Sequence, residues 1–562
     1  MTDEETTIDK KFNLLDEPWI ACLMVSGKNE KLSMTDIFLR ACDVRRIAGD
    51  SPMQDYALLR VLLSAYWSAN KKDDSTKGRN FSPAGWWASQ MSAAKGSNFG
   101  ASVVSYLEEY RDRFDLLDGK QPFMQVADLR TEKGAFSPVG RIIPEAESDY
   151  FTMRAGQGLE SLAFDEATRW LIAVHAWDYS GIKSGAVGDS RVKNGKGFPI
   201  GAGWTGRTGG VVLHGDNLAE TMVLNTAPNV VFDRKYRDDA PVWERPAYTA
   251  AVRAPGESDN NSELIPDGPC DILTWQARRV RLHYDQDAVT GVLVSNGDKY
   301  ALRNQFMDPM TAYRYSKNQS SKTEIVHMPK GHSVERTIWR GLEPLLVRNG
   351  AKTVKKGEAA DIRPATLEWL NIIESDGDLP NDLMVNIELV GVAYGNKDAV
   401  IEDSIHETLP VHLALLTERG NHASYDIVTA GDATMQVAIA AGQLAGNLNQ
   451  AAGGEYAFVK DATESVLSSL EAPFKEWLAG VTPEIDMEAY RQKWFKTVHN
   501  AANNEALVLV RGAGPAALKG SLDDERLVSS ATALSLFRSR VNKILGTKPK
   551  QELHDPESRQ DN

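Results

Sequence analysis

At 562 residues the chain is too long for one typical hydrophobic core, and its 42% hydrophobic and 25% charged residues exclude wholesale disorder. A net charge of -14 excludes a general nucleic-acid coat protein, because long-range repulsion leaves phosphate contact to local basic patches only. Three dispersed cysteines, Cys22, Cys42 and Cys270, contain no CxxC pair; they exclude a disulfide framework and a cysteine-rich zinc site and suit a reducing cytoplasm.

The opening residues MTDEETTIDKK are acidic and polar, without the apolar core of a signal peptide, and no later run is long enough to span a bilayer. The expectation is a soluble cytoplasmic protein with no membrane partner. Phe12 to Val25 reads as a turn at Asp16 to Pro18 leading into a buried strand and then a hairpin turn, SGKNEK. Met53 to Asn70 carries Tyr56, Leu59, Leu63 and Tyr66 at helical spacing, the pattern of a helix inside a domain. Two more helical segments are expected at Ser82 to Lys95 and Ser102 to Asp118, closed by the loop QPFMQV at Gln121, and another helix from about Ser161 to Tyr179.

Gly181 to Gly210 then breaks the pattern. Ten of its thirty residues are glycine, and Lys183, Arg191, Lys193, Lys196 and Arg207 stand against Asp189 alone. A backbone stripped of side chains can approach another surface closely and turn its N–H groups on it. A close-fitting anionic partner suits such a segment; a mobile, lysine-solubilised surface loop is the alternative. Short apolar runs follow at Val211 to His214, Thr221 to Leu224 and Val230 to Phe232, read as strands, and Val280 to Tyr284 with Val289 to Val294 as a hairpin. Arg278, Arg279 and Arg281 cluster at the start of that hairpin, either on a solvated face or along a nucleic-acid path, as do Lys352, Lys355 and Lys356 further on.

Strand signals stop beyond about Ser404. Tyr425 to Leu448 is alanine-rich, and Val466, Leu470, Phe474 and Trp477 recur at helical spacing, with Pro473 expected to break or restart that helix. Met487, Tyr490, Trp494 and Val498 form another stripe, and Leu527, Leu534 and Val541 a seven-residue repeat. The expected fold class is α+β: a mixed α/β domain over residues 1–400, a C-terminal four-helix bundle over 401–546 and a flexible tail over 547–562.

Catalytic patterns are missing. Gly195-Lys196-Gly197 fails as a P-loop, since Ser190 stands where a glycine is needed and Gly197 where Ser or Thr is needed. His327 and His332, and His406 and His412, lack zinc-helix spacing. No GxSxG or HExxH occurs, and neither catalytic residues, metal ligands nor a cofactor are assigned.

FNLLDEPWI, QPFMQV, the GQG loop at Gly156 to Gly158, GFPIGAGWTGRTGG, VLN at Val223 to Asn225 and the helical last third together resemble the CasA family, from about Phe12 to Gly546. Members of that family are the large subunit of Cascade, the type I-E CRISPR surveillance complex. The resemblance implies a non-enzymatic subunit that reads the protospacer-adjacent motif in double-stranded DNA and helps unwind the target for R-loop formation. It also implies recruitment of a helicase-nuclease, while guide RNA pairing reads sequence. Its implied partners are guide RNA, target double-stranded DNA, other Cascade subunits and the helicase-nuclease.

By the same resemblance the motif-reading minor-groove loop falls on Gly197, Gly201 and Gly203. The groove-probing lysine falls on Lys299, with Asp298 as the alternative position, and the duplex-splitting wedge on Asn396, Lys397 and Asp398. The contact with the guide-RNA handle falls on Phe151, Thr152 and Met153. Two other readings stay open: a nucleotide- or phosphate-binding enzyme using the same glycine-rich loop, and a scaffold that binds only protein through its bundle.

Overall fold

The computed structural model describes residues 10–70, 82–96, 99–144, 160–227, 238–253, 263–285, 287–332, 359–376, 379, 383–523 and 526–546. Phe151, Thr152, Met153, the run Val230 to Phe232, the lysines at 352, 355 and 356 and the tail lie outside them. The chain divides into two compact units, Met1–Glu418 and Arg419–Asn562.

The first unit begins with an antiparallel three-stranded sheet, β1 (Ile20–Met24) between β2 (Asn29–Leu32) and β3 (Val44–Ile47). The expected hairpin turn is present, with Gly27 at φ 83. Helix α1 (Pro52–Asn70) is buried on almost every side, and its one buried cation, Arg60, is paired with Asp308 at 2.7 Å. Around it lie α2 (Pro83–Ala93), α3 (Ala101–Glu108) and α4 (Phe164–Trp177). Helix α3 stops well short of Asp118, because the following backbone pairs elsewhere: Leu14 N donates to Phe114 O at 2.8 Å and Leu116 N to Phe12 O at 3.0 Å.

The glycine-rich run forms a small hairpin, β4 (Lys183–Ser184) against β5 (Lys196–Gly197), then a short helix α5 (Trp204–Thr208) and strand β6 (Gly210–His214). Thr221 to Leu224, expected as a strand, belongs to helix α6 (Leu218–Leu224). Asn217 caps that helix, its Oδ1 accepting from Glu220 N at 2.9 Å, and a four-residue apolar run alone does not separate the two states. The hairpin β7 (Arg278–Tyr284) and β8 (Val289–Asn296) stands as expected, and β9 (Lys299–Tyr300) pairs in parallel with Glu263 and Leu264.

Strand signals do not end at Ser404. Strand β10 (Met384–Tyr394) pairs with β6 on one side and along its length with β11 (Ile401–His412) on the other. The expected boundary at residue 400 therefore falls at the tip of a long hairpin, whereas the units divide after Glu418. Charged and polar residues on the solvent side of β11 weaken its apolar pattern; its inward residues Leu409 and Val411 are fully buried.

The second unit contains four long helices, α7 (Asn421–Ala451), α8 (Lys460–Ala479), α9 (Met487–Gly512) and α10 (Ser530–Leu545), with α7 packed against the other three. Helix α8 runs unbroken through Pro473. A proline removes one backbone donor, and the buried residues on both sides, Val466 and Leu470 before it and Phe474 and Leu478 after it, hold the two halves in line. The seven-residue repeat fails at Leu527, which lies on a short strand and is 56% exposed; the buried stripe of α10 is Ala533, Phe537, Val541 and Leu545. No helix among the described residues is long and apolar enough to cross a membrane.

Candidate nucleic-acid interface

Local chemistry explains the shape of the glycine-rich run. Asn194 and Gly195 occupy its two-residue turn at φ 52 and 68, while Lys193 and Lys196 exchange backbone hydrogen bonds across it at 3.1 Å. Positive φ at both central positions is what a tight hairpin turn needs and what Asn-Gly supplies. The hairpin is tied to β8 and the residue after it. Arg191 forks onto Asp189 and donates to Gly297 O at 2.9 Å, and Asn296 Nδ2 donates to Phe198 O at 2.7 Å.

The three glycines assigned by resemblance stand in different surroundings. Gly197 is buried, and a Cβ there would press on Asn296 Nδ2 at 2.9 Å. Gly201 is half-buried at φ 107, and a Cβ there would stand 4.0 Å from Arg207 Nη2. Gly203 is buried: its N–H donates to Asp178 O at 2.9 Å, and a Cβ would collide with the Ala176 carbonyl at the end of α4. Only glycine lets the loop lie this close to α4, and Gly201 is the most accessible of the three.

Two other segments meet the loop. Tyr300, beside Lys299 on β9, donates its hydroxyl to Ala202 O at 2.6 Å, and its ring packs edge-on against Trp204. Lys299 is one-third exposed and pairs with Glu263 at 2.7 Å. Asp298, the alternative position, is 1% exposed and committed to Arg279 and Arg253 at 2.8 Å each, so of the two only Lys299 reaches the surface.

The second segment is the turn between β10 and β11. Asn396 and Lys397 are exposed, Lys397 and Asp398 take φ 58 and 55, and Asp398 pairs with Arg207 of the glycine-rich run at 2.6 Å. Tyr394 donates its hydroxyl to Trp177 O at 2.6 Å, fixing the root of the turn. The fold thus joins segments near residues 200, 300 and 397 through two side chains, Tyr300 and Arg207. Arg207 is visible in the sequence as one of the run's five cations; nothing marks Tyr300.

The arginine cluster is neither a solvated face nor a nucleic-acid path at its first two members, since Arg278 and Arg279 are each 1% exposed. Arg278 pairs with Asp178 and Arg279 with Asp298. Asp178 also receives Arg141 at 2.9 Å and Lys183 at 3.0 Å. Burial alone would raise the Asp178 carboxyl, but Arg278, Arg141 and Lys183 hold it well below the usual range. One carboxylate cannot balance three cations. Burial together with the two arginines pushes the Lys183 ammonium down to about 7 despite its contact with Asp178.

The histidines serve the fold. His332 Nε2 lies 3.0 Å from Gly210 O, and His327 Nε2 2.9 Å from Ala360 O. His406 shares Glu388 with His214, at 2.7 and 2.6 Å. Among the described residues no group of His, Cys, Asp or Glu could hold a metal ion.

Comparison with known proteins agrees with this architecture. Residues 13–504 match the family model described as CRISPR-associated protein Cse1. The CRISPR-associated protein CasA/Cse1 of Thermus thermophilus is 28% identical over 417 residues, 73% of each chain. The crystal structure of Thermobifida fusca Cse1 superposes with a TM-score of 0.83 at 36% identity, covering 96% of this chain and 98% of that one. A chain of a CRISPR RNA-guided surveillance complex shares the fold at a TM-score of 0.66 and 18% identity, over 94% and 99% of the two chains. With the match extending over most of its length, the chain belongs to the CRISPR-associated Cse1 (CasA) family.

Proposed function

We propose that the chain works as the large, non-catalytic subunit of a Cascade surveillance complex, reading a short flanking motif in double-stranded DNA beside the guide-paired target. The observation that carries this reading is the convergence of the glycine-rich loop, Lys299 and the Asn396–Asp398 turn, joined by Tyr300–Ala202 and Arg207–Asp398. A side-chain-poor loop can enter the shallow minor groove. Lys299 offers three donors to base-edge acceptors there, and the groove's degenerate pattern tolerates more than one motif. The Lys299–Glu263 pair is a surface pair, easily given up to a stronger acceptor.

Asn396 and Lys397 then stand at the tip of a long hairpin as the wedge that opens the first base pairs, while Asp398 stays on Arg207 and off the phosphates. Phe151, Thr152 and Met153 contact the guide-RNA handle in this reading, and the loaded assembly recruits the helicase-nuclease in the cytoplasm.

The test is assembly of the purified chain with guide RNA and the remaining subunits, followed by duplex binding with varied flanking sequences. The expected result is motif-dependent binding that collapses in the double variant Gly201→Asp, Lys299→Ala. Undiminished discrimination in that variant refutes the site. Saturable binding of a mononucleotide by the isolated chain would favour an enzyme on the same loop, and assembly without DNA protection a protein-only scaffold.

A further inference from the structure

The Gly201 carbonyl, on the most accessible of the three glycines assigned to motif reading, accepts a hydrogen bond from Arg278 Nη2 at 2.8 Å. The same nitrogen reaches Tyr179 O at 2.8 Å and Asp178 O at 3.2 Å, Nη1 reaches Ala277 O at 2.9 Å, and Nε is bound to the Asp178 carboxylate. Asp178 holds the loop a second time, since its carbonyl accepts from Gly203 N at 2.9 Å. Lys183, on the first strand of the hairpin and paired with Gly197, places its ammonium 3.0 Å from Asp178 and 3.7 Å from the centre of the Tyr179 ring. The buried Arg278 guanidinium therefore grips the loop at Gly201 and the Asp178 backbone carbonyl grips it at Gly203, while the Asp178 carboxylate fixes the guanidinium, both residues being buried.

A glycine-rich loop has the largest conformational freedom to lose and no side chains of its own with which to lose it. A loop that discriminates by close backbone approach needs its carbonyls and N–H groups fixed to a fraction of an ångström. The planar fork of an arginine, saturated by carbonyls and a carboxylate, supplies that rigidity; a lysine cannot reach as many fixed acceptors. We propose that Arg278, oriented by Asp178, is a positioning residue that sets flanking-motif specificity without touching nucleic acid. This rests on the motif-reading role given to the loop.

Arg279 provides a matched control. It is equally buried and equally paired, to Asp298, but its remaining donors go to Thr249 O at 2.8 Å, Ala251 O at 3.2 Å and Gln276 O at 3.4 Å, none of them on the loop. The full chain, assembled with guide RNA and the other subunits, is offered a duplex library with randomised flanking positions. Arg278→Lys and Asp178→Asn are expected to flatten the flanking preference by about tenfold, the scale of one lost base-edge contact. Arg279→Lys is expected to leave it intact. Preference retained in both loop variants, or flattened as much by Arg279→Lys, overturns the proposal.

A second measurement does not depend on DNA. Trypsin cleavage after Lys193 and Lys196, followed with the melting temperature of the same samples, is expected to accelerate severalfold in Arg278→Lys and Asp178→Asn but not in Arg279→Lys. An unchanged cleavage rate also overturns the clamp. Accelerated cleavage in a chain whose parent shows no flanking preference would leave the clamp standing and remove the motif-reading role.

Discussion

Lys183 and Gly203 illustrate how much the glycine-rich run depends on single buried groups. Lys183 has a folded pKa near 7 against an ordinary value of 10.5, so between those values the unfolded chain holds a proton that the folded chain has released. Stability of the first unit is therefore expected to rise with pH from about 7 to about 10.5, and Lys183→Met to remove that rise. Denaturant titrations at several pH values check it; an equal slope in both proteins excludes Lys183 as the source. At Gly203 a methyl group has no room beside the Ala176 carbonyl, and Gly203→Ala is expected to cost about 1–3 kcal/mol. Gly119→Ala, where nothing lies within 4 Å of the added carbon, serves as the control, and equal denaturation midpoints for the two variants would contradict the packing.

Among the elements, β6, β10 and β11 are joined by Glu388 with a histidine on each side. Burial favours the neutral carboxyl, yet hydrogen bonds from His214 and His406 bring Glu388 down from 4.5 to about 2. Its hydrogen bond to Glu388 raises His406 above 6.5. The carboxylate's contribution is complete above 4.5 and lost as pH falls through about 2; that of His406 is complete below 6.5 and lost as pH rises through its folded value. The sheet is therefore expected to be most stable between about 4.5 and 6.5, and Glu388→Gln to flatten that maximum in thermal melts across pH. A maximum that survives the substitution places its origin elsewhere. The long β10–β11 hairpin then serves as the stem that carries Asn396 and Lys397.

For the whole molecule, the division after Glu418 separates two cores that can be tested apart. Residues 419–562 bury Trp494, Phe474, Val466 and Leu470 among their own helices, and Trp494 Nε1 donates to Thr434 Oγ1 at 3.0 Å within the same unit. The excised segment is expected to be helical by circular dichroism and to melt cooperatively. A helical signal that fades without a transition would mean that the bundle needs the first unit to fold.

The family, the α+β class, the buried helix α1, the β7–β8 hairpin and the helical last third were all legible in the residues alone, because they rest on local periodicity and on short motifs that lie in unbroken runs. The glycine excess and the charge of residues 181–210 were equally visible. Which arginines are buried was settled by long-range contacts, since Arg278 and Arg279 look like a surface cluster until Asp178 and Asp298, from elsewhere in the chain, neutralise them in the core. Tertiary packing also decides that Lys299 and not Asp298 faces outward, that α8 survives Pro473, and that Arg207 meets Asp398. Each of these turns on a partner far away in sequence or on packing from a neighbouring element, and neither leaves a periodic trace in the residues around it.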